Sequence, residues 1–503
     1  MVVVDPEEEN RPRAASEVEP NDERRQAQPL TEGHPVEGRL AAGVKPDVDW
    51  FRAAVASAGQ VLSMTVSGIP GVDLSLEGFD DHGKRLVRVN NSKEGGGETL
   101  VNLGVDPGTY LFRVRAVKGA AAAADAAGYR VVYTLRAREE GEEVEPNWKA
   151  ALATPLSMDQ EATGYLGWQT DTDWYRVELK DVVAGGRLRL EFDGVDGVRA
   201  ALSIRGADGS MIQERWSRRS EAVVLPNLAP PQGTSFVVVR CMYDFNVETR
   251  YSLRVLTVVP TGAVELEPND TPRQATPLAV DGHIAMAGIV ADTTDRDLYA
   301  IRVARAQPVR VEAVPPLNVD LALALVVDDK TVWEVDQGKA REKEVLPVVW
   351  IRPPFGLIQV RSPRQVGDSS VSAVTPYHIR VQPLGDGAWE QEPNNEPGSA
   401  TPLAPGPNPT RGFLHPQEDV DYYRLAPATG RVLVVAQPSA AQQLKLELLL
   451  PQGGVAASAA GSTPGAQVRL EGSAGVEYVL RVTGSASADQ AYTLSYPITG
   501  ENP

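Results

Sequence analysis

The string Glu-x-Glu-Pro-Asn occurs four times in this 503-residue chain, beginning at Glu17, Glu143, Glu265 and Glu390, with steps of 126, 122 and 125 residues. Each copy is followed by the same signals in the same order. An alanine and a Pro-Leu pair come first (Ala27 and Pro29-Leu30 in the first copy), then a glycine (Gly38, Gly164, Gly288, Gly412). Asp-x-Asp follows with one or two aromatics behind it: DVDWF from Asp47, DTDWY from Asp171, DRDLY from Asp295 and DVDYY from Asp419. A long, nearly constant period means one folding unit used repeatedly. A unit of about 125 residues can bury a core of its own. The expected organisation is a disordered leader over 1–16 and four modules over 17–138, 143–258, 265–383 and 390–497.

Helical periodicity is scarce between the motifs. Short alternating runs dominate, such as VLSMTV from Val61, RLRLEF from Arg187, PVRVEAV from Pro308 and YVLRV from Tyr478. Apolar-polar alternation of this length, punctuated by Gly, Pro, Asp and Asn, reads as half-buried strands and predicts an all-β sandwich in each module. A closing strand that opens on tyrosine is expected at Tyr133, Tyr251, Tyr377 and Tyr492. The stretch GAAAAADAAG from Gly119 reads as a loop before such a strand. One member of each aromatic pair after Asp-x-Asp is expected to pack in the core.

In extended chain, residues i and i+2 project to the same side. Glu17 and Glu19 therefore face together, as do Asp47 and Asp49. If the two segments meet, four carboxylates converge, with an amide oxygen from Asn21 and a fifth carboxylate from Asp22. Converging carboxylates repel unless neutralised, and an all-oxygen set suits Ca²⁺, which takes 6–8 oxygen ligands. Zinc sites draw on His or Cys, and the five histidines have no ligand spacing. The alternative is a linker and turn device, with Asn21 and its counterparts capping the turn and the acids in water. The second module carries Trp148 where the first has Asp22, which puts its ion in doubt.

Composition narrows the function. A formal net charge of −18 and a pI near 4.9 argue against nucleic acid as a partner. Cys241 is the only cysteine, so no intrachain disulfide forms, and its apolar surroundings read as a core position. No apolar run is long enough for a membrane span, and no secretory signal is visible in the first residues. Arginine-rich, alanine-rich usage points to a GC-rich bacterial genome. The catalytic motifs G-x-S-x-G, H-E-x-x-H and the P-loop are absent from the sequence, so no enzyme is expected.

The opening motif, the Asp-x-Asp-aromatic element, the Gly-Thr-Tyr turn at Gly108 and the closing Tyr-x-Leu together resemble the bacterial pre-peptidase C-terminal (PPC) domain, a relative of the collagen-binding domain of bacterial collagenases. The resemblance covers roughly residues 17–497. It implies an all-β fold of four tandem jelly-roll-like antiparallel β-sandwich domains, with calcium held between each opening segment and its sandwich. The implied ligands are Glu17, Glu19, Asn21, Asp22, Asp47 and Asp49 in the first module. In the third they are Glu265, Glu267, Asn269, Asp270, Asp295 and Asp297, and in the fourth Glu390, Glu392, Asn394, Asn395, Asp419 and Asp421. Such domains usually accompany a secreted protease, yet the modules fill this chain.

The functional expectation is a non-enzymatic, extracytoplasmic binding or scaffold protein: periplasmic, cell-surface or secreted. Its partner would be a protein or polysaccharide at the cell envelope or outside the cell, with a lipid anchor on the native N-terminus left open. The alternatives are a structural component of an envelope assembly with no small ligand, and a secretion or targeting accessory of a protease or other hydrolase.

Overall fold

The computed structural model describes residues 14–40, 47–118, 128–179, 182–363, 371–406, 408–426, 432–439, 442–461, 468–473 and 475–497. Most of the expected leader, and the alanine-rich stretch 119–127, lie outside the described residues.

The alternating runs form strands. Along Tyr129–Ala137 the side chains of Tyr129, Val131 and Tyr133 are buried, while Arg130 and Thr134 are exposed. This is the period of two that a sheet with one wet face requires. The first repeat has ten strands: β1 (Ala15–Ser16), β2 (Gln28–Pro29), β3 (Val36–Gly38), β4 (Val48–Val55), β5 (Gln60–Val66), β6 (Asp73–Phe79), β7 (Arg85–Val89), β8 (Glu98–Val105), β9 (Gly108–Lys118) and β10 (Tyr129–Ala137). They are shared between two sheets, ordered β1-β3-β10-β5-β8 and β2-β4-β9-β6-β7. The same order recurs in the later repeats, where the second and third have one sheet of four strands.

The chain is all-β, with 52% strand and, among the described residues, no α-helix. The expected four tandem jelly-roll-like antiparallel β-sandwich domains are nonetheless corrected: the strands form a β-solenoid of about 18 turns. Apart from the paired β6 and β7, successive strands pass from one sheet to the other and back, so the chain winds as it advances. The sheets are also mixed, not purely antiparallel. The short strands β1 and β2 pair in parallel with β3 and β4, and only the longer neighbours are antiparallel. The winding does not stop at the first joint, where Leu103 bridges Glu145 and Glu142 bridges Thr163, both in parallel. Alternation along a strand says which side chains are buried. It does not say how the chain passes from one strand to the next, which is why sequence patterning missed the winding.

Two compact units divide the chain, one of 1–225 with 229–259 and the other of 226–228 with 260–503. In the first repeat, Phe51, Leu76 and Phe112 of one sheet meet Leu62, Leu103 and Val131 of the other, all of them fully buried. The third and fourth repeats have cores of the same kind, around Tyr299, Leu323 and Ile358 and around Tyr423, Leu446 and Leu480. Each such side chain contributes roughly 1.5–3 kcal/mol by leaving water. The expected inward aromatics are Phe51, Tyr175, Tyr299 and Tyr423, all at 0% exposure. Cys241 is a buried core residue whose thiol meets the Trp168 carbonyl oxygen at 3.2 Å.

Candidate metal centre

Backbone hydrogen bonds carry the opening motif to the Asp-x-Asp strand. The asparagine carbonyl oxygen accepts the amide of the residue after Asp-x-Asp in every repeat: Trp50 to Asn21 at 3.0 Å, Trp174 to Asn147 at 3.2 Å, Leu298 to Asn269 at 3.2 Å and Tyr422 to Asn394 at 3.1 Å. The Glu-Pro bond of the motif is cis in all four repeats. The asparagine amide folds back onto the second glutamate, with Asn21 N to Glu19 Oε2 at 2.8 Å and Asn147 N to Glu145 Oε2 at 2.9 Å. The first glutamate accepts the amide of the residue after the repeated glycine: Arg39 to Glu17 at 2.6 Å, Tyr165 to Glu143 at 3.2 Å, Ile289 to Glu265 at 2.7 Å and Phe413 to Glu390 at 2.6 Å.

These bonds gather three carboxylates per repeat: Glu17, Glu19 and Asp49; Glu143, Glu145 and Asp173; Glu265, Glu267 and Asp297; Glu390, Glu392 and Asp421. Within each set one oxygen per residue lies within 4.8 Å of the others. At that separation and an effective dielectric near 20, each ionised pair repels by at least ~3 kcal/mol. The asparagines Asn21, Asn147, Asn269 and Asn394 are fully buried beside them. Several oxygens have no hydrogen-bond partner, among them Asp49 Oδ1, Glu145 Oε1, Asn147 Oδ1, Asp173 Oδ1 and Asn394 Oδ1. The acids are therefore largely buried and not the solvated face of a turn, apart from the exposed Glu19 and half-buried Glu17.

The remaining candidates stand differently. Asp22 and Asp270 are exposed, and each accepts a backbone amide at 3.3 Å, from Val48 and Arg296. Asn395 is exposed as well. The leading aspartate of Asp-x-Asp holds the approaching loop: Asp295 Oδ2 accepts the Ala291 amide at 2.7 Å, and Asp419 accepts those of His415 and Val420 at 2.8 and 2.9 Å. Asp47 is half-buried, and its charge acts on both Glu17 and Asp49. The second repeat forms its cluster as completely as the others. Trp148 occupies an outward-facing position, 53% exposed, with the Lys149 ammonium 4.7 Å from its ring.

Burial is the first cause of every cluster shift, and the neighbouring carboxylates add to most of them. It pushes Glu17 to about 7 and Asp49 to about 9, with repulsion from Glu19 and Asp47 raising both and Glu17 adding to that on Asp49. It raises Asp173 to about 7, Glu265 to about 8 and Glu392 to about 8. Glu143, Glu145, Asp297, Glu390 and Asp421 go well above the usual carboxylate range.

A tyrosine from the closing strand completes each site. Tyr251 donates to Asp173 Oδ2 at 2.6 Å and Tyr377 to Asp297 Oδ2 at 2.7 Å. Tyr492 donates to Asp421, and in the first repeat Tyr129 donates to Asp49. The first-repeat residue is thus Tyr129 and not Tyr133, four positions later on the same face of β10. In the later repeats the closing tyrosine also shares a hydrogen bond with the inward aromatic, at 2.7, 2.6 and 2.6 Å for Tyr175–Tyr251, Tyr299–Tyr377 and Tyr423–Tyr492. Phe51 fills that place in the first repeat and meets Tyr129 edge-on, with centroids 6.4 Å apart.

The repeated glycine now has a reason. A Cβ on Gly164 would stand 2.4 Å from Glu143 Cγ and 2.5 Å from the Tyr251 hydroxyl; one on Gly412 would stand 2.4 Å from Glu390 Oε2. Only hydrogen fits beneath the carboxylate and the phenol.

No family model and no curated protein matches the sequence. Several solved structures are similar to this chain, these two among them. One is described as "Biofilm associated protein - BSP domain"; it is 9% identical, covers 93% of this chain and 96% of its own, and has a TM-score of 0.14. The other is a glycosyl hydrolase family 2 member from Bacteroides cellulosilyticus, 13% identical, covering 44% of this chain and 25% of its own, also with a TM-score of 0.14. Likeness at that level identifies no shared architecture. Among the described residues no helix is long and apolar enough to cross a membrane.

Proposed function

We infer that this chain is a non-enzymatic, extracytoplasmic scaffold or adhesive protein whose repeats are each held by a calcium ion. The observation that carries the reading is the set of four three-carboxylate clusters, largely buried apart from Glu17 and Glu19, with oxygens left unpartnered. Leaving such groups charged and uncompensated costs several kcal/mol per ion. A hard cation offsets that cost and uses the donors present: two glutamates, an aspartate and an asparagine, all oxygen. The two glutamates and the asparagine come from the opening motif, and the aspartate from the strand behind it. An ion bound to both would fasten the start of each repeat to its body.

The four-module division at 17–138, 143–258, 265–383 and 390–497 belongs to this proposal, as does a protein or polysaccharide partner at or beyond the cell envelope. The cluster residues are read as serving cohesion: in each repeat the carboxylates face one another and the aspartate accepts a hydrogen bond from the closing tyrosine. The test is thermal melting of the full chain in chelator and in millimolar calcium, with calorimetric titration. Melting that does not change between the two conditions overturns the calcium reading.

A further inference from the structure

The second cluster draws on a residue that its own repeat does not supply. Asn102, on β8 of the first repeat, is 1% exposed, and its Nδ2 donates to Glu143 Oε1. Its backbone oxygen accepts the Glu145 amide at 2.9 Å, and the Gly104 amide donates to Glu145 O at 2.9 Å. Gly104 permits this approach, because a Cβ there would stand 2.6 Å from Val144 Cγ2. Beside Leu103, which bridges Glu145 in parallel, the opening motif of the second repeat lies along the edge of β8 as an added strand. The Asn102 Oδ1 atom is buried and has no partner, as are Glu145 Oε1, Asn147 Oδ1 and Asp173 Oδ1. A half-turn of the Asn102 amide puts its oxygen where its nitrogen now meets Glu143. The first cluster has no such neighbour among the described residues; Glu19 is exposed and Val18 is 68% exposed.

We propose that the second cluster is a cross-repeat ion site, in which Asn102 of the first repeat supplies an oxygen ligand to a divalent cation held by Glu143, Glu145 and Asp173 of the second. The proposal rests on the cation reading above and adds to it a latch: ion binding there fixes one repeat on the next. The linker Arg138–Glu142 spans this joint, and Arg136 at the end of β10, Arg138 and Arg250 all converge on Glu142. Ion binding at the joint keeps that linker closed to protease.

The experiment is calorimetric titration of the full chain with calcium chloride, alongside limited trypsin digestion at Arg136 and Arg138, for wild type, Asn102→Leu, Asn102→Asp and Asp173→Asn. Asn102→Leu lowers the affinity of one site by tenfold or more and restores cleavage in calcium, while the other sites titrate unchanged and show that the chain is folded. Asn102→Asp keeps an oxygen but loses the donor to Glu143; it binds at least as tightly as wild type and stays protected. Asp173→Asn removes one site from the count. Wild-type affinity in Asn102→Leu, or an Asn102→Asp variant as weak as Asn102→Leu, overturns the cross-repeat ligand while leaving the cation reading intact. A wild-type chain that takes up no calcium overturns both.

Discussion

Two kinds of buried carboxylate occur in this molecule, and they are handled in opposite ways. Glu312, on the strand Gln307–Val314, is met by Arg310 at 2.9 Å, by Lys343 at 3.3 Å and by Arg380. Those cations hold its carboxyl down at about 2, against the pull of burial. Glu77 in the first repeat is met in the same way by Arg113, Arg85 and Arg115 and is likewise lowered. The acids of the first two clusters are surrounded by like charge. The charges acting on Asp49 are those of Glu17, Asp47 and Glu19, and those acting on Glu143 are Asp173, Glu145 and Asp171. A chain that supplies arginine where it needs a permanent counter-charge, and supplies only more acid four times over at one motif, leaves room for a cation from outside.

The largest expected effect separates the two classes by chelation. At calcium about 100 times the dissociation constant, each site adds about 2.7 kcal/mol, and chelator lowers the melting temperature by on the order of 10 °C. An equal melting temperature in both buffers breaks the comparison. Next comes Glu312→Gln, which takes the ion pair from Arg380 and leaves Arg310 and Lys343 with Asp489 as their acidic partner; it costs about 3 kcal/mol, measured by urea unfolding and insensitive to calcium. Gly164→Ala forces a methyl group into the second cluster and costs about 2 kcal/mol; a wild-type stability there would show that the site has space to spare. Asp173→Asn behaves contrary to Glu312→Gln. In chelator it relieves repulsion and stabilises by about 1 kcal/mol, while most of the calcium response of that repeat disappears.

The smallest effect is in pH, on two acids of one repeat. Burial pushes Glu344 up to about 7, aided by Asp336 and Asp320 and opposed by the backbone amides of Gly338 and Gln337. Its folded value lies above its unfolded one, so its contribution is complete below about 4.5 and is lost as pH rises through 7. Glu312 has the opposite sign: its contribution is complete above about 4.5 and is lost as pH falls toward 2. Melting in chelator at pH 5 and pH 8 should therefore show Glu344→Gln gaining on wild type at the higher pH. Glu312→Gln should recover toward wild type only in acid. Parallel curves for the two variants would erase the distinction.

Much of the site was legible in the sequence because its geometry is local. Glu17 and Glu19 sit two residues apart on extended chain, and the repeated glycine and Asp-x-Asp lie at fixed distances behind them. What escaped was whatever the third dimension decides. Asp22 and Asp270 read as ligands, yet both are exposed and each accepts a backbone amide of the Asp-x-Asp segment, and Trp148, which cast doubt on the second repeat, stands at an exposed position beside a complete cluster. Tyr129 and Tyr133 share a face of β10, and only the register opposite Gly38 shows which one reaches Asp49. Asn102 lies in a different repeat from the acids it touches, and no spacing rule within a module finds it. Alternation marked the strands but not the winding that joins them.

The phenol that caps each site comes from the end of its repeat, while the glutamates come from the beginning. Tyr129 reaches back 80 positions to Asp49. On a chain delivered N-terminus first, the acids of a repeat emerge early and stay hydrated, because the strand that shuts water away from them has not yet been made. Closure of the carboxylate cluster is therefore the last event in the maturation of each repeat, and a chain halted short of its final strand carries an open, acidic mouth at its growing end.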